Sequence, residues 1–148
     1  MSLRSIPLIF LAFVLYNVVV LFAGNPPAGT DESAAGYLLR QVVFSLPSIR
    51  SGEALGFTWG DVIILFTLLL LFAEIVKATF TSTASLIDHG LSMLVFIACL
   101  VEFLVVDRAF TSVFFIVMMA TLIDVVAGYT IGIRVARRDI GLGNIDGH

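Results

Sequence analysis

Charge is what this chain has least of. Only 13% of its 148 residues are Asp, Glu, Lys or Arg, about half the share of an ordinary soluble domain. The eight basic residues against eleven acidic ones form no basic face, which excludes nucleic acid as a partner. There is one cysteine, Cys99, so no intrachain disulfide can form. Two histidines, His89 and His148, far apart in the chain, cannot build a zinc site with it. No metal and no cofactor is expected. The phosphate-binding loop, the G-x-S-x-G elbow and the H-E-x-x-H helix are all missing. No nucleophile stands beside a base in the sequence, and the expectation is a protein that is not an enzyme.

What the chain does have is apolar length. Hydrophobic residues make up 59% of it and the mean hydropathy is +1.09. A single domain of 1–148 fits the length, and lipid is its natural solvent. A membrane-crossing helix needs about 20 apolar residues. Four segments approach this: 6–23, interrupted by Asn17, then 62–80, 86–106 and 110–133. The first is too long in its apolar part for a cleaved signal, and its end lacks a small-x-small site. Pro7 suits the first turn of a helix, where a missing N–H costs little. The last two segments are separated by little more than Asp107, Arg108 and Ala109, so the chain must reverse there. Ser85 and Asp88 have the spacing of a helix-opening cap. The fold class that follows is an all-α four-helix membrane bundle.

Basic residues orient it. With four spans both termini share a side. That side carries Arg4, Lys77, Arg134, Arg137 and Arg138, against Arg40, Arg50 and Arg108 on the other. Both termini are expected in the cytoplasm, with 134–148 as the cytoplasmic tail and its Gly-rich end, 139–148, expected to be loose. Residues 24–60 then form one extracytoplasmic loop. Its start is rich in Gly and Pro, and 34–41 suits a short helix. Val42, Phe44 and Leu46 alternate, and so do Leu55, Phe57 and Trp59. A period of two across a Pro/Ser/Gly turn predicts a β-hairpin. Its apolar face either lids the helix ends or docks a partner or lipid.

The polar residues of the spans fall on seams. Gly60, Ile63, Thr67, Leu70, Glu74, Lys77 and Thr81 follow a 3-4-3-4 rhythm, and Glu74 can pair with Lys77 three residues on. Asp88, Ser92, Val95, Cys99 and Glu102 share a face of the third span, with His89 beside Asp88. Ala120, Asp124, Gly128 and Gly132 are spaced by four on the last span. The Gly128–Gly132 spacing allows close helix packing, within the bundle or between copies. Asn17 sits mid-way along the first span, and Glu102 is within reach of Arg108. Intramembrane charges are functional candidates by default. Glu74, Lys77 and Asp124 read either as an internal network that fixes helix register or, with Glu102, as an ion path.

The stretch "IDHGLSMLVFIACLVEFLVV", followed by "DVVAGYTIGIRVARRDIG", resembles a group of small four-span inner-membrane proteins of proteobacteria. "FTWGDVIILFTLLLLFAEIVKAT" is similar to their second helix. The resemblance implies a bacterial inner-membrane location and brings no activity, cofactor or site with it.

Two functions compete. One is a non-enzymatic accessory or scaffolding subunit, working in the lipid bilayer as a homo-oligomer or in a larger membrane complex. The other is an oligomeric proton or cation channel or carrier built on the intramembrane acids.

Overall fold

The computed structural model describes residues 6–50, 52–79 and 85–142. It is mostly helical, with one small sheet. In chain order come α1 (Phe10–Leu21), α2 (Ala34–Leu39), β1 (Val42–Pro47), β2 (Ala54–Thr58), α3 (Trp59–Thr79), α4 (Ser85–Val105) and α5 (Ser112–Leu142). A single 3-10 turn, Asp107–Ala109, reverses the chain between α4 and α5. α5 packs along both α3 and α4.

Two of the described helices are long and apolar enough to cross a bilayer, Trp59–Thr79 and Ser112–Arg134. Phe10–Leu21 and Gly90–Val105 are apolar but shorter. α1 is shorter than its apolar segment because both ends tighten. The N–H groups of Phe10 and Leu11 bond carbonyls three residues back at Pro7 and Leu8, and those of Phe22 and Ala23 do the same at the other end. α5 departs from expectation in the opposite sense. Hydropathy falls at Arg134, but no Gly or Pro stands between there and Gly141, so the helix continues to Leu142 where a loose tail was expected.

Trp59 is the other departure. It continues the period-two pattern of β2 but is the first residue of α3. The cause is a reciprocal cap. The Thr58 N–H and hydroxyl both donate to Asp61 Oδ2, at 2.9 and 2.7 Å, and the Asp61 N–H returns a bond to Thr58 Oγ1 at 3.2 Å. A Thr-x-x-Asp box starts a helix whatever the strand pattern before it.

The core lies where the seams meet. Gly60, Ile63, Thr67, Leu71 and Glu74 are the buried residues of α3. Tyr16 of α1 and Phe114 of α5 are its largest fully buried side chains, with ring centroids 4.7 Å apart. At Gly60 a Cβ would stand 2.9 Å from a Val113 methyl and 3.2 Å from the Leu39 carbonyl. Only glycine lets α2 and α5 close on the start of α3 there.

β1 and β2 form an antiparallel hairpin, with Phe44 opposite Phe57 and Leu46 opposite Leu55. A bulge lies between Val42 and Phe44. The Ser48 N–H donates to the Glu53 carbonyl at 2.7 Å, and Gly52 takes a φ of +69° in the turn, a conformation glycine adopts without cost. Phe44 and Phe57 stack at 4.9 Å. Every residue of β1 is exposed, and Leu55 is 62% exposed. The hairpin is therefore not a lid pressed onto the bundle by its apolar face.

Candidate functional site

Glu74 is buried on α3, one turn from the end that faces away from the hairpin. Both of its oxygens are used. Oε1 accepts from Lys77 Nζ at 3.1 Å. Oε2 accepts from the backbone N–H of Leu8 at 3.0 Å. The Leu8 amide is free because it lies ahead of α1, where no helical carbonyl precedes it. A carboxylate that takes one ammonium and one amide proton is well satisfied for a buried site.

Asp124 faces the same region from α5 and is only 4% exposed. The Ser92 hydroxyl of α4 hydrogen-bonds its carboxyl, and the charges of Glu74 and Lys77 act on it from α3. Its Oδ2 has no hydrogen-bond partner. The structure thus brings together Glu74, Lys77 and Asp124, the three expected members of the internal network, yet leaves one buried carboxylate oxygen unmatched. Asp88 and His89 lie on the first turn of α4, and their side chains fall outside the described residues.

The remaining sequence candidates sit apart from this cluster. Asn17 Nδ2 donates to the Phe13 carbonyl at 3.1 Å and to Glu102 Oε2 at 3.3 Å. Glu102 therefore meets α1 and not the expected Arg108. Gly128 is buried and Gly132 half-buried on α5. Cys99 is buried against the Thr121 hydroxyl. Val42, Phe44, Leu46 and Leu55 are exposed on the hairpin, while Phe57 and Trp59 are half-buried at its base.

One polar centre was not legible in the sequence. Tyr16 OH donates to the Arg108 carbonyl at 2.8 Å and lies 2.7 Å from Thr111 Oγ1. Thr111 Oγ1 also accepts the Phe114 N–H at 3.1 Å. Tyr16 has one proton, directed to Arg108, so Thr111 donates to Tyr16. This chain ties α1 to the corner between α4 and α5. A tyrosine inside an apolar run gives no sign of a partner 92 residues away.

Two depressions stand out among the described residues. An open cleft of about 460 Å³ lies at the hairpin end, between Glu32, Arg40, Asp61 and Thr111. The Glu32–Arg40 pair, 2.9 Å apart, sits on its rim. A groove of about 380 Å³ between α1 and α4 is lined by Phe10, Phe13, Leu94 and Val95. Among the described residues no group of three or more His, Cys, Asp or Glu could hold a metal ion. No family model, curated protein or solved structure matches the chain.

Proposed function

We propose that this chain is a non-enzymatic membrane subunit: a four-helix bundle in a bacterial inner membrane, both termini cytoplasmic, that works by assembling with other chains. The observation that carries the reading is the hairpin. Its residues Val42, Phe44, Leu46 and Leu55 are left uncovered, and an isolated two-stranded sheet is marginal in water. Something outside this chain must cover it. The membrane part of the reading is supported by the helix surfaces. In the apolar windows of α3 and α5 only 22% and 39% of residues are buried. Leu68, Leu69 and Phe72 are each more than half exposed on α3, which suits a solvent of acyl chains.

The test is the mass and composition of the particle extracted by a mild detergent from its native membrane. The parent should run as a homo-oligomer or with a stoichiometric second protein. A variant with residues 43–57 replaced by a short Gly-Ser turn should stay in the membrane and lose that mass. A parent of single-chain mass, or a hairpin-less variant with unchanged mass and composition, would refute the reading.

An ion path is a second reading, favoured by the unmatched buried oxygen of Asp124 beside Glu74. Asp124→Asn and Glu74→Gln should then each cut proton or cation flux into proteoliposomes at least about ten-fold. Equal flux in both variants and the parent would end it.

A further inference from the structure

We propose that the free edge of β2 pairs antiparallel with β2 of a second copy, about a two-fold axis at Gly56. This rests on the assembly reading and names the partner of the hairpin.

The two edges of the hairpin differ. β1 carries a bulge between Val42 and Phe44 and ends in Pro47, two devices that keep a strand edge from pairing. β2 reads Ala-Leu-Gly-Phe-Thr, with no bulge, no proline and no charge. Among the described residues the sheet has only these two strands, so the outer edge of β2 is open at Ala54 and Gly56, while the outward N–H of Thr58 is held by Asp61.

The hydrogen-bond alternation fixes which groups face outward. The Ser48 N–H bonds the Glu53 carbonyl. In an antiparallel ladder bonded and non-bonded pairs alternate. Leu46–Leu55 and Phe44–Phe57 are then bonded pairs, and Ser45–Gly56 is not. Gly56 therefore turns its N–H and C=O away from β1. It is also the middle residue of the five in β2.

A two-fold axis through Gly56 makes the strand its own complement. The two Gly56 residues exchange both backbone bonds. Leu55 then lies opposite Phe57 of the other copy, in a non-bonded pair where side chains approach most closely. Leu55 and Phe57 share the face of Phe44 and Leu46, so the four-stranded sheet has one continuous apolar face. No charge lies between Glu53 and Asp61, so no like charges meet along the edge. The axis of two copies inserted alike must run along the bilayer normal, which lays the sheet along the membrane surface. A pairing of two five-residue edges is smaller than the ~1,000 Å² of a stand-alone interface. Confinement of both copies in one membrane raises their effective concentration and offsets this.

The register can be read by cross-linking the full chain in its native membrane. Facing Gly56 Cα atoms would be about 5.5 Å apart, within disulfide reach. Facing Ala54 residues would be offset by four positions, roughly 14 Å, which is out of reach. Under mild oxidant Gly56→Cys should therefore form a double-mass species about ten-fold more than Ala54→Cys. The parent, whose lone Cys99 is buried, gives the background. Gly56→Pro removes the outward N–H without touching a bond to β1, and should reduce the particle mass. Equal cross-linking in both cysteine variants, or none in either, overturns the pairing. If the parent is an oligomer and Gly56→Cys does not cross-link, the pairing fails and the assembly reading stands. A monomeric parent overturns both.

Discussion

Tyr16→Ala should lower the stability of the folded chain by about 3 kcal/mol. Tyr16 is 1% exposed and its ring packs on Phe114. In a bilayer the transfer of the ring from water contributes little, because lipid is also apolar. The cavity left behind and the lost dispersion contacts remain. So does the stranded Arg108 carbonyl at the α4–α5 corner. Tyr16→Phe keeps the ring and removes only the hydroxyl, and should cost about 1–2 kcal/mol. Thermal unfolding in one detergent, with all three proteins, measures both. Equal losses in Ala and Phe would mean that the ring is not packed as described. A combined Tyr16→Phe, Thr111→Val variant should lose less than the sum, since the two hydroxyls share one bond.

Glu74→Ala should cost about 3 kcal/mol, for a different reason. It strands the Leu8 N–H and removes an acceptor from Lys77 at once, and hydrogen bonds to a charged group contribute about 1.5–3 kcal/mol each. Lys77 is partly solvated, so its share is the smaller one. Glu74→Gln retains an acceptor for Leu8 and should fall well short of the alanine loss. The difference should be local as well as global. Hydrogen exchange at residues 8–12 should rise in Glu74→Ala before the rest of the bundle opens. Protection there equal to the parent's would show that Glu74 does not hold the entry to α1.

This bond also marks where sequence reasoning ran out. The Glu74–Lys77 pair follows from a three-residue spacing on one helix, and it is present. The partner that completes Glu74 is a backbone amide 66 residues away, and no side chain announces it. The same contrast recurs at Tyr16. The hairpin was legible because its strands alternate with period two, and α2 because its neighbours are turn residues. Trp59 was misplaced because a cap two side chains wide outweighs an alternating pattern. The α3 seam was legible except at one step, where Leu71 is buried and Leu70 only half-buried. A helix of 3.6 residues per turn drifts from a 3-4 rhythm within two turns. The end of α5 was missed because hydropathy reports solvent, whereas helix continuation depends on the absence of breakers.

The shortness of α1 has a mechanical consequence. Twelve residues rise about 18 Å, while a hydrocarbon layer is about 30 Å thick. α3, at 21 residues, spans about 31 Å. In the membrane placement proposed above, the α3 side of the bundle would match the bilayer and the α1 side would fall short, so lipids beside α1 would tilt or compress to meet it. Such hydrophobic mismatch costs fractions of a kcal/mol per Å. Two copies that turn their thin sides toward each other share one dimple instead of making two. The bilayer itself would then draw copies together, and would do so more strongly as its acyl chains lengthen.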